Sequence, residues 1–249
     1  MSELEQLKAE NEKLRSMNEA KSDLISISAH QLRTSLTALK WILKIFTDKD
    51  LGKLSLEQEG LLEKAVESNE RMVTLVNDLL TLTHADDPSI KFKFEKINIK
   101  DLVDQSMSQF KGETSKKGIG LNLEDVSVGL PDVECDREMI SVVLQNLIEN
   151  SIKYSDNGDT VSINLSASKD TLDIKVHDTG IGIDHADQAS IFNKFFRASN
   201  AIEKDRIGSG LGLFTTKNIV DRHKGKIWFE SSKDRGTTFF VSLPISQSV

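Results

Sequence analysis

Apolar residues keep a helical rhythm without a break from Leu4 to Phe46 of this 249-residue chain. Leu4, Asn11, Asn18 and Ile25 share one heptad position and Leu7 and Leu14 another, after which Leu32, Leu36, Leu39, Leu43 and Phe46 follow at steps of four and three. That spacing predicts one long helix whose opening stretch, residues 1–22, is a short parallel coiled coil, with Asn11 favouring two strands. At about 100° per residue, a helix that buries the second stripe turns His30 about 160° away, near the middle of the wet face. An imidazole held in water and titrating near neutrality is a candidate nucleophile. Trp41 falls within about 20° of His30 on the same wheel and Ile45 lies nearby, suited to docking a partner or to burial within a dimer.

A polar turn at Asp48–Lys53, with Gly52 able to take positive φ, ends the first helix. Ser55 and Gln58 form a capping-box pattern that opens a second helix lasting to about Ala85. In it Met72, Leu75, Leu79 and Leu82 make one apolar stripe and Val73, Val76 and Leu80 its neighbour. Two stripes need two partners, so the helical hairpin is expected to pair with a second copy as a four-helix bundle, making the protein a homodimer. Asp86-Asp87-Pro88-Ser89 then breaks the helix and marks a linker. The expected division is 1–22 coiled coil, 23–87 hairpin and 88–249 a second domain.

Composition narrows the classes of function. With 38% hydrophobic and 29% charged residues the chain can bury a substantial core, and a net charge of -7 argues against a nucleic-acid partner. The single cysteine, Cys135, excludes an internal disulfide and suits a reducing compartment. An apolar run of about eighteen residues and a secretory leader are both lacking, so a soluble, cytoplasmic chain without a membrane segment is expected. If it belongs to a receptor, the upstream sensor domain is absent from this chain.

Beyond the linker, alternating runs at Lys91–Phe94, Val161–Leu165 and Thr171–Val176 read as half-buried strands, separated by helical patterns at Ile99–Glu113, Asp136–Tyr154 and Leu213–His223. The expected class is α+β, with helices laid on one face of a sheet. On the Asp136–Tyr154 helix, Met139, Val143, Leu144, Leu147 and Ile148 form the apolar stripe, and Asn146, Asn150, Lys153 and Tyr154 share the other side. An asparagine oxygen is a hard ligand suited to Mg²⁺, and Lys153 can meet a phosphate. In Thr171–Asp178 the inward alternation Leu172, Ile174, Val176 continues to Asp178, placing a carboxylate where it must find donors. The amine edge of a purine would supply one, and Gly180 and Gly182 let backbone approach closely.

Gly208-Ser209-Gly210-Leu211-Gly212 precedes the helix from Leu213, a place where free N–H groups and the helix dipole cradle anions. It is not the dinucleotide fingerprint, because Leu213 stands three positions after Gly210. No G-x-x-x-x-G-K-[ST] phosphate loop occurs, and the eukaryotic-type kinase signatures are lacking.

Taken in order, Ser28-Ala29-His30-Gln31-Leu32-Arg33-Thr34, Asn146-x-x-x-Asn150-x-x-Lys153-Tyr154, Asp178-x-Gly180-x-Gly182, Phe192-x-x-Phe195-Phe196-Arg197 and Gly208-x-Gly210-x-Gly212 resemble the H, N, G1, F and G2 boxes of bacterial sensor histidine kinases, over about Lys21 to Pro244. The resemblance implies a dimeric helical hairpin followed by an α/β sandwich ATP-binding domain similar to those of gyrase and heat-shock chaperones. It further implies that Asn150 chelates Mg²⁺ with support from Asn146, that Lys153 and Arg197 contact phosphates, and that Tyr154 packs near adenine or ribose. Asp178 would accept from the adenine amine, while Gly180, Gly182, Gly208, Gly210, Leu211 and Gly212 form loops around the nucleotide. Phe192, Phe195 and Phe196 are expected to anchor the lid or a domain contact, or simply to pack.

The activity so implied is transfer of the γ-phosphate of MgATP to His30 and then to an aspartate of a response-regulator receiver domain. Thr34, one turn along, resembles the position that orients water in the reverse, phosphatase direction. Asn146 stands where ATP-hydrolysing relatives carry a glutamate, and an amide cannot take a proton from water, which disfavours an ATPase-driven machine. Two positions depart from the family pattern. Gln31 replaces the usual acid and cannot hold the Nδ1 proton, so slower phosphorylation is expected. Ser35 replaces the usual proline and permits an uninterrupted helix. Both leave open an ATP-binding dimeric scaffold with weak or no phosphotransfer.

Overall fold

Helix α1 runs unbroken over Glu3–Thr47, and α2 over Leu56–Asp86 returns beside it. The computed structural model describes residues 3–48, 52, 54–86, 92–127, 129–205 and 208–247. The chain divides into two compact units, one built on Met1–Ile90 and the other on Lys91–Arg206 with Gly210–Val249.

In the first unit the expected capping box is present in both directions. The Ser55 N–H donates to Gln58 Oε1 at 2.9 Å and the Gln58 N–H to Ser55 Oγ at 3.2 Å. Gly52 takes φ +107°, as the turn requires. The hairpin core is small: Ala29, Leu36 and Val76 are buried, with Val73 packed against them. The stripe expected to be buried on α1 is therefore only partly covered within one chain, since Leu36 goes inside while Leu32 remains 51% exposed and Leu39 and Phe46 are also open. One neighbouring helix covers roughly one face, so the second α2 stripe, represented by Met72 and Leu75, likewise stays exposed while Val73 and Val76 turn inward. The seam side chains Leu4, Leu7, Asn11, Leu14 and Asn18, those of Leu79, Leu80 and Leu82, and the 87–91 linker lie outside the described residues.

The second unit contains β1 (Phe94–Ile97), α3 (Ile99–Lys117), β2 (Gly120–Val126), β3 (Val133–Asp136), α4 (Arg137–Lys153), β4 (Thr160–Ala167), β5 (Thr171–Asp178), α5 (His185–Gln188), α6 (Ser199–Lys204), α7 (Gly212–Arg222), β6 (Lys226–Ser231) and β7 (Thr237–Pro244). Five strands form one mixed sheet in the order β2-β4-β5-β7-β6, parallel only between β2 and β4, and β1 pairs antiparallel with β3 beside it. Alternation along β7 sends Phe239, Val241 and Leu243 inward, where with Leu172, Ile174 and Val176 of β5 they are nearly inaccessible. On α4 the buried stripe is Ile140, Val143, Leu144, Leu147, Ile148 and Ile152. Met139, expected in that stripe, is only half-buried, because Ile140 takes the inward position.

The strand expected over Lys91–Phe94 begins only at Phe94. The preceding backbone is engaged elsewhere: the Lys93 N–H donates to Asp136 Oδ2 at 2.8 Å, and the Phe92 ring lies against His223 and under the Arg222 guanidinium. His223 is fully buried with both ring nitrogens used, Nδ1 2.7 Å from the Ile219 carbonyl and Nε2 accepting the Asp136 N–H at 3.0 Å. That assigns a neutral imidazole with its proton on Nδ1. Burial is the main cause holding its pKa below 6.5. The unfolded chain therefore binds the extra proton more readily, so this contribution to stability is complete above pH 6.5 and is lost on acidification. We expect the His223→Gln variant to show a flatter fall in melting temperature between about pH 7 and 5 than the parent protein, measured by circular dichroism.

Candidate active site

Asp136 caps α4 by accepting the Met139 N–H at 3.0 Å, and Tyr154 closes it by donating its N–H to the Asn150 carbonyl. Because those caps hold both ends, Asn146, Asn150 and Lys153 come to one half-buried side of α4 at helical spacing, with Tyr154 at its end. Asn146 Nδ2 donates to the Gly212 carbonyl and to Thr216 Oγ1, each at 3.2 Å, tying α4 to the start of α7. With its amide hydrogens committed to α7, Asn146 has only Oδ1 to offer a ligand. Nothing among the described residues partners the Asn150 side chain, which leaves a hard amide oxygen for a cation. No group of three or more His, Cys, Asp or Glu side chains among the described residues is placed to hold a metal.

Asp178 ends β5, between Val161 of β4 and Thr237 of β7, and is 4% exposed. Donors expected from a ligand are largely supplied by the protein itself. Oδ1 accepts the Gly180 N–H at 3.0 Å and the Thr237 N–H at 3.2 Å, and Oδ2 accepts from Ser151 Oγ at 3.3 Å. Burial nevertheless pushes this carboxyl up to about 6, against the pull of those hydrogen bonds. Oδ2, with one donor at the long end of the range, is the oxygen with capacity left for a further one.

The loop after Asp178 is held by close packing that only glycine permits. A Cβ on Gly180 would stand 2.4 Å from the Tyr154 carbonyl oxygen, and one on Gly182, at φ +65°, would stand 2.0 Å from that of Ser232. The Gly182 carbonyl accepts from Asn200 Nδ2 at 2.8 Å, which brings the α6 segment beside this loop. Gly208, Gly210 and Leu211 lead into α7, whose first residue is Gly212. The Gly210 carbonyl accepts the Phe195 N–H at 3.0 Å, linking this loop to the phenylalanine segment. Leu211 occupies the cap of α7 and has no polar side chain to take the first-turn N–H groups, the arrangement suited to an anion.

Phe192 packs edge-on against Phe229 of β6, whereas Phe195 is 67% exposed and held at φ +64°. Lys153 Nζ pairs with Asp205 Oδ2 at 2.7 Å and lies 5.9 Å from the centre of the Tyr154 ring. Arg197 Nη2 donates to the carbonyls of Ala201 and Asp205. On α1, the Gln31 and Thr34 side chains are exposed, and Ser35 Oγ donates to the Gln31 carbonyl at 3.1 Å within an uninterrupted helix. The His30 backbone is helical, and its side chain lies outside the described residues.

Ser151, Thr237, Gly236, Thr216 and Asp205 join this site although no sequence pattern marks them for it. A turn signal at Asp234-Arg235-Gly236 is legible, but not which strand end it meets.

Residues 135–247 match the model of the histidine kinase-, DNA gyrase B- and HSP90-like ATPases, and residues 20–88 match that of the His Kinase A phospho-acceptor domain. Both models fall in the order that the boxes require. The chain belongs to the sensor histidine kinase family. Among curated members of that family, it is 33% identical to the sensor histidine kinase WalK of Bacillus subtilis over 93% of this chain and 38% of WalK. It is 32% identical to the adaptive-response sensory kinase SasA of Prochlorococcus marinus, over 96% of this chain and 61% of SasA. The chain thus spans less than two thirds of the length of these curated relatives. The histidine kinase AdeS of Acinetobacter baumannii superposes with a TM-score of 0.60 at 25% identity, covering 88% of this chain and 98% of AdeS. Full-length ShkA, crystallised with AMPPNP, shares the fold, with a TM-score of 0.71 over 91% of this chain and 46% of its own at 23% identity. No helix among the described residues is long and apolar enough to cross a membrane.

Proposed function

We propose that this chain is an ATP-dependent histidine autokinase that phosphorylates its own His30 and passes the phosphoryl group to an aspartate of a response-regulator receiver domain. The observation that carries the reading is Asp178: a buried carboxylate at a strand end, braced by Gly180, Thr237 and Ser151, with Oδ2 able to accept the adenine amine. Asn150, Lys153 and the start of α7 would then meet the Mg²⁺ and phosphates, the metal drawing charge from the phosphate oxygens.

In the transfer, His30 Nε2 attacks the γ-phosphorus in line. A P–N bond forms as the bond to the β,γ-bridging oxygen breaks, and ADP leaves with the electron pair. The imidazole proton goes to water, because Gln31 accepts a hydrogen bond but does not hold a proton. Attack by a carboxylate oxygen of a receiver aspartate then forms an O–P bond, giving an acyl phosphate, as the P–N bond breaks, and the leaving imidazole takes up a proton from water to restore neutral His30. Thr34 is assigned to orienting water in the reverse, phosphatase direction. The open Met72, Leu75, Leu32 and Leu39 side chains support pairing of two hairpins as a homodimer.

Gln31 favours one second reading, a dimeric ATP-binding scaffold without phosphotransfer. Incubation with γ-labelled ATP separates the two. The proposed kinase gains acid-labile, alkali-stable label that disappears in His30→Ala and rises several-fold in Gln31→Glu. A protein that binds ATP yet remains unlabelled is the scaffold.

A further inference from the structure

The α6 segment is strapped to the far end of α4 by charge. Lys153 Nζ and Asp205 Oδ2 meet at 2.7 Å, with the two side chains only 22% and 27% exposed. Next to it, Lys204 Nζ bridges Asp156 Oδ2 at 2.8 Å and the Tyr154 carbonyl at 3.2 Å. Arg197 closes the same turn from the other side through the carbonyls of Ala201 and Asp205. Asn200 on the Gly182 carbonyl and the Ser199 N–H on Asp187 Oδ2 fix the beginning of the segment. One residue, Asp205, therefore engages both cations assigned above to phosphate, one through its carboxylate and the other through its backbone oxygen.

We propose that Asp205 is a built-in competitor for the nucleotide phosphates: its carboxylate occupies Lys153 in their place, and binding of a di- or triphosphate displaces it and frees the α6 segment. This rests on the reading that Lys153 receives phosphate. Carboxylate and phosphate oxygens satisfy an ammonium in the same way, so the two anions exclude each other there. A partly desolvated pair is a harder competitor than a surface pair, but a single carboxylate carries less charge than a polyphosphate. Nucleotide affinity is thereby set below what the cations alone would give, and the loss falls only on ligands that carry phosphate. Adenosine, which needs Asp178 but not Lys153, escapes it.

The test is calorimetric titration of the full chain and its Asp205→Asn and Asp205→Ala variants with ADP and, separately, with adenosine. We expect both variants to bind ADP about three- to tenfold more tightly, with adenosine affinity unchanged. ADP affinity that stays level or falls in both variants overturns the proposal, and so does an equal gain for adenosine, which would mean the segment merely shields the pocket. If parent and variants all fail to bind ADP, the nucleotide reading falls and this one with it. Asp205 ends a short surface helix outside the core, so both variants are expected to fold.

Discussion

Replacing Gly236 with alanine is expected to destabilise the second unit by more than about 3 kcal/mol and to abolish nucleotide binding. Gly236, the residue before β7, sits at φ +85°, where a side chain is strained by about 1–2 kcal/mol whatever the space around it. Here there is no space. The added Cβ would stand 1.9 Å from the Asp178 carbonyl oxygen, 2.8 Å from its carbon and 2.9 Å from Thr179 Cα, all of them backbone. Backbone cannot swing aside as a flexible side chain does, so β7 must part from β5 at the register pair Asp178 and Thr237. The Thr237 N–H then leaves Asp178 Oδ1, and the carboxylate loses one of its braces. Urea unfolding followed by circular dichroism, with ADP titration at low urea, measures both losses. Parental stability in the variant would show that the turn between β6 and β7 relaxes far more easily than its packing implies.

Asp178→Asn is expected to do the opposite to stability while removing function. Burial raises the folded carboxyl from 3.8 to about 6, so the folded protein holds this proton more tightly than the unfolded chain does. The associated stabilisation is complete below pH 3.8 and is lost as pH rises through 6, which at pH 7 corresponds to a penalty of up to about 3 kcal/mol for keeping the ionised group inside. An amide carries no such penalty. Its oxygen can accept from Gly180 and Thr237 and its NH₂ can donate to Ser151 Oγ, since a hydroxyl serves in either role. We therefore expect the variant to be about 1–3 kcal/mol more stable at pH 7, seen as a higher urea midpoint with the slope unchanged. Facing adenine, however, the same NH₂ sets donor against donor, and ATP affinity should fall by at least about 100-fold. In the parent protein the corresponding signature is ATP affinity that drops as pH falls through about 6. A variant that is both less stable and equally able to bind ATP would remove Asp178 from the adenine site.

How far this molecule is legible from its residues depends on the distance over which each signal acts. The reciprocal Ser55 and Gln58 cap, the α4 boundaries and the inward position of Asp178 all follow from spacing within a turn or a strand, and each is present in the fold. Which strand lies beside β5 does not follow from spacing. For that reason nothing in the sequence around Thr237 and Gly236 says that they are brought to Asp178 across the sheet from a distant part of the chain. Phe92 and Lys93 alternate as a strand would, yet the buried His223 and Asp136 capture them first, a tertiary preference that overrides local pattern. Likewise Lys153 is legible as a cation facing outward, whereas its partner Asp205 lies two strands and two short helices further on, along connections whose course no periodicity describes. Asn146 reads as an amide in place of a base, and its hydrogen bonds to Gly212 and Thr216 show a second task, that of a strut between two helices.

Forty-five residues of α1 form one continuous rod, about 67 Å from end to end at 1.5 Å per residue. Ser35 keeps its N–H in the ladder where a proline would have installed a joint, and its hydroxyl returns to the Gln31 carbonyl one turn earlier. A torque applied at the Glu3 end thus passes the turn bearing His30 and runs on toward Thr47 without a hinge just beyond that turn to absorb it, and the whole shaft must rotate or tilt as a single body.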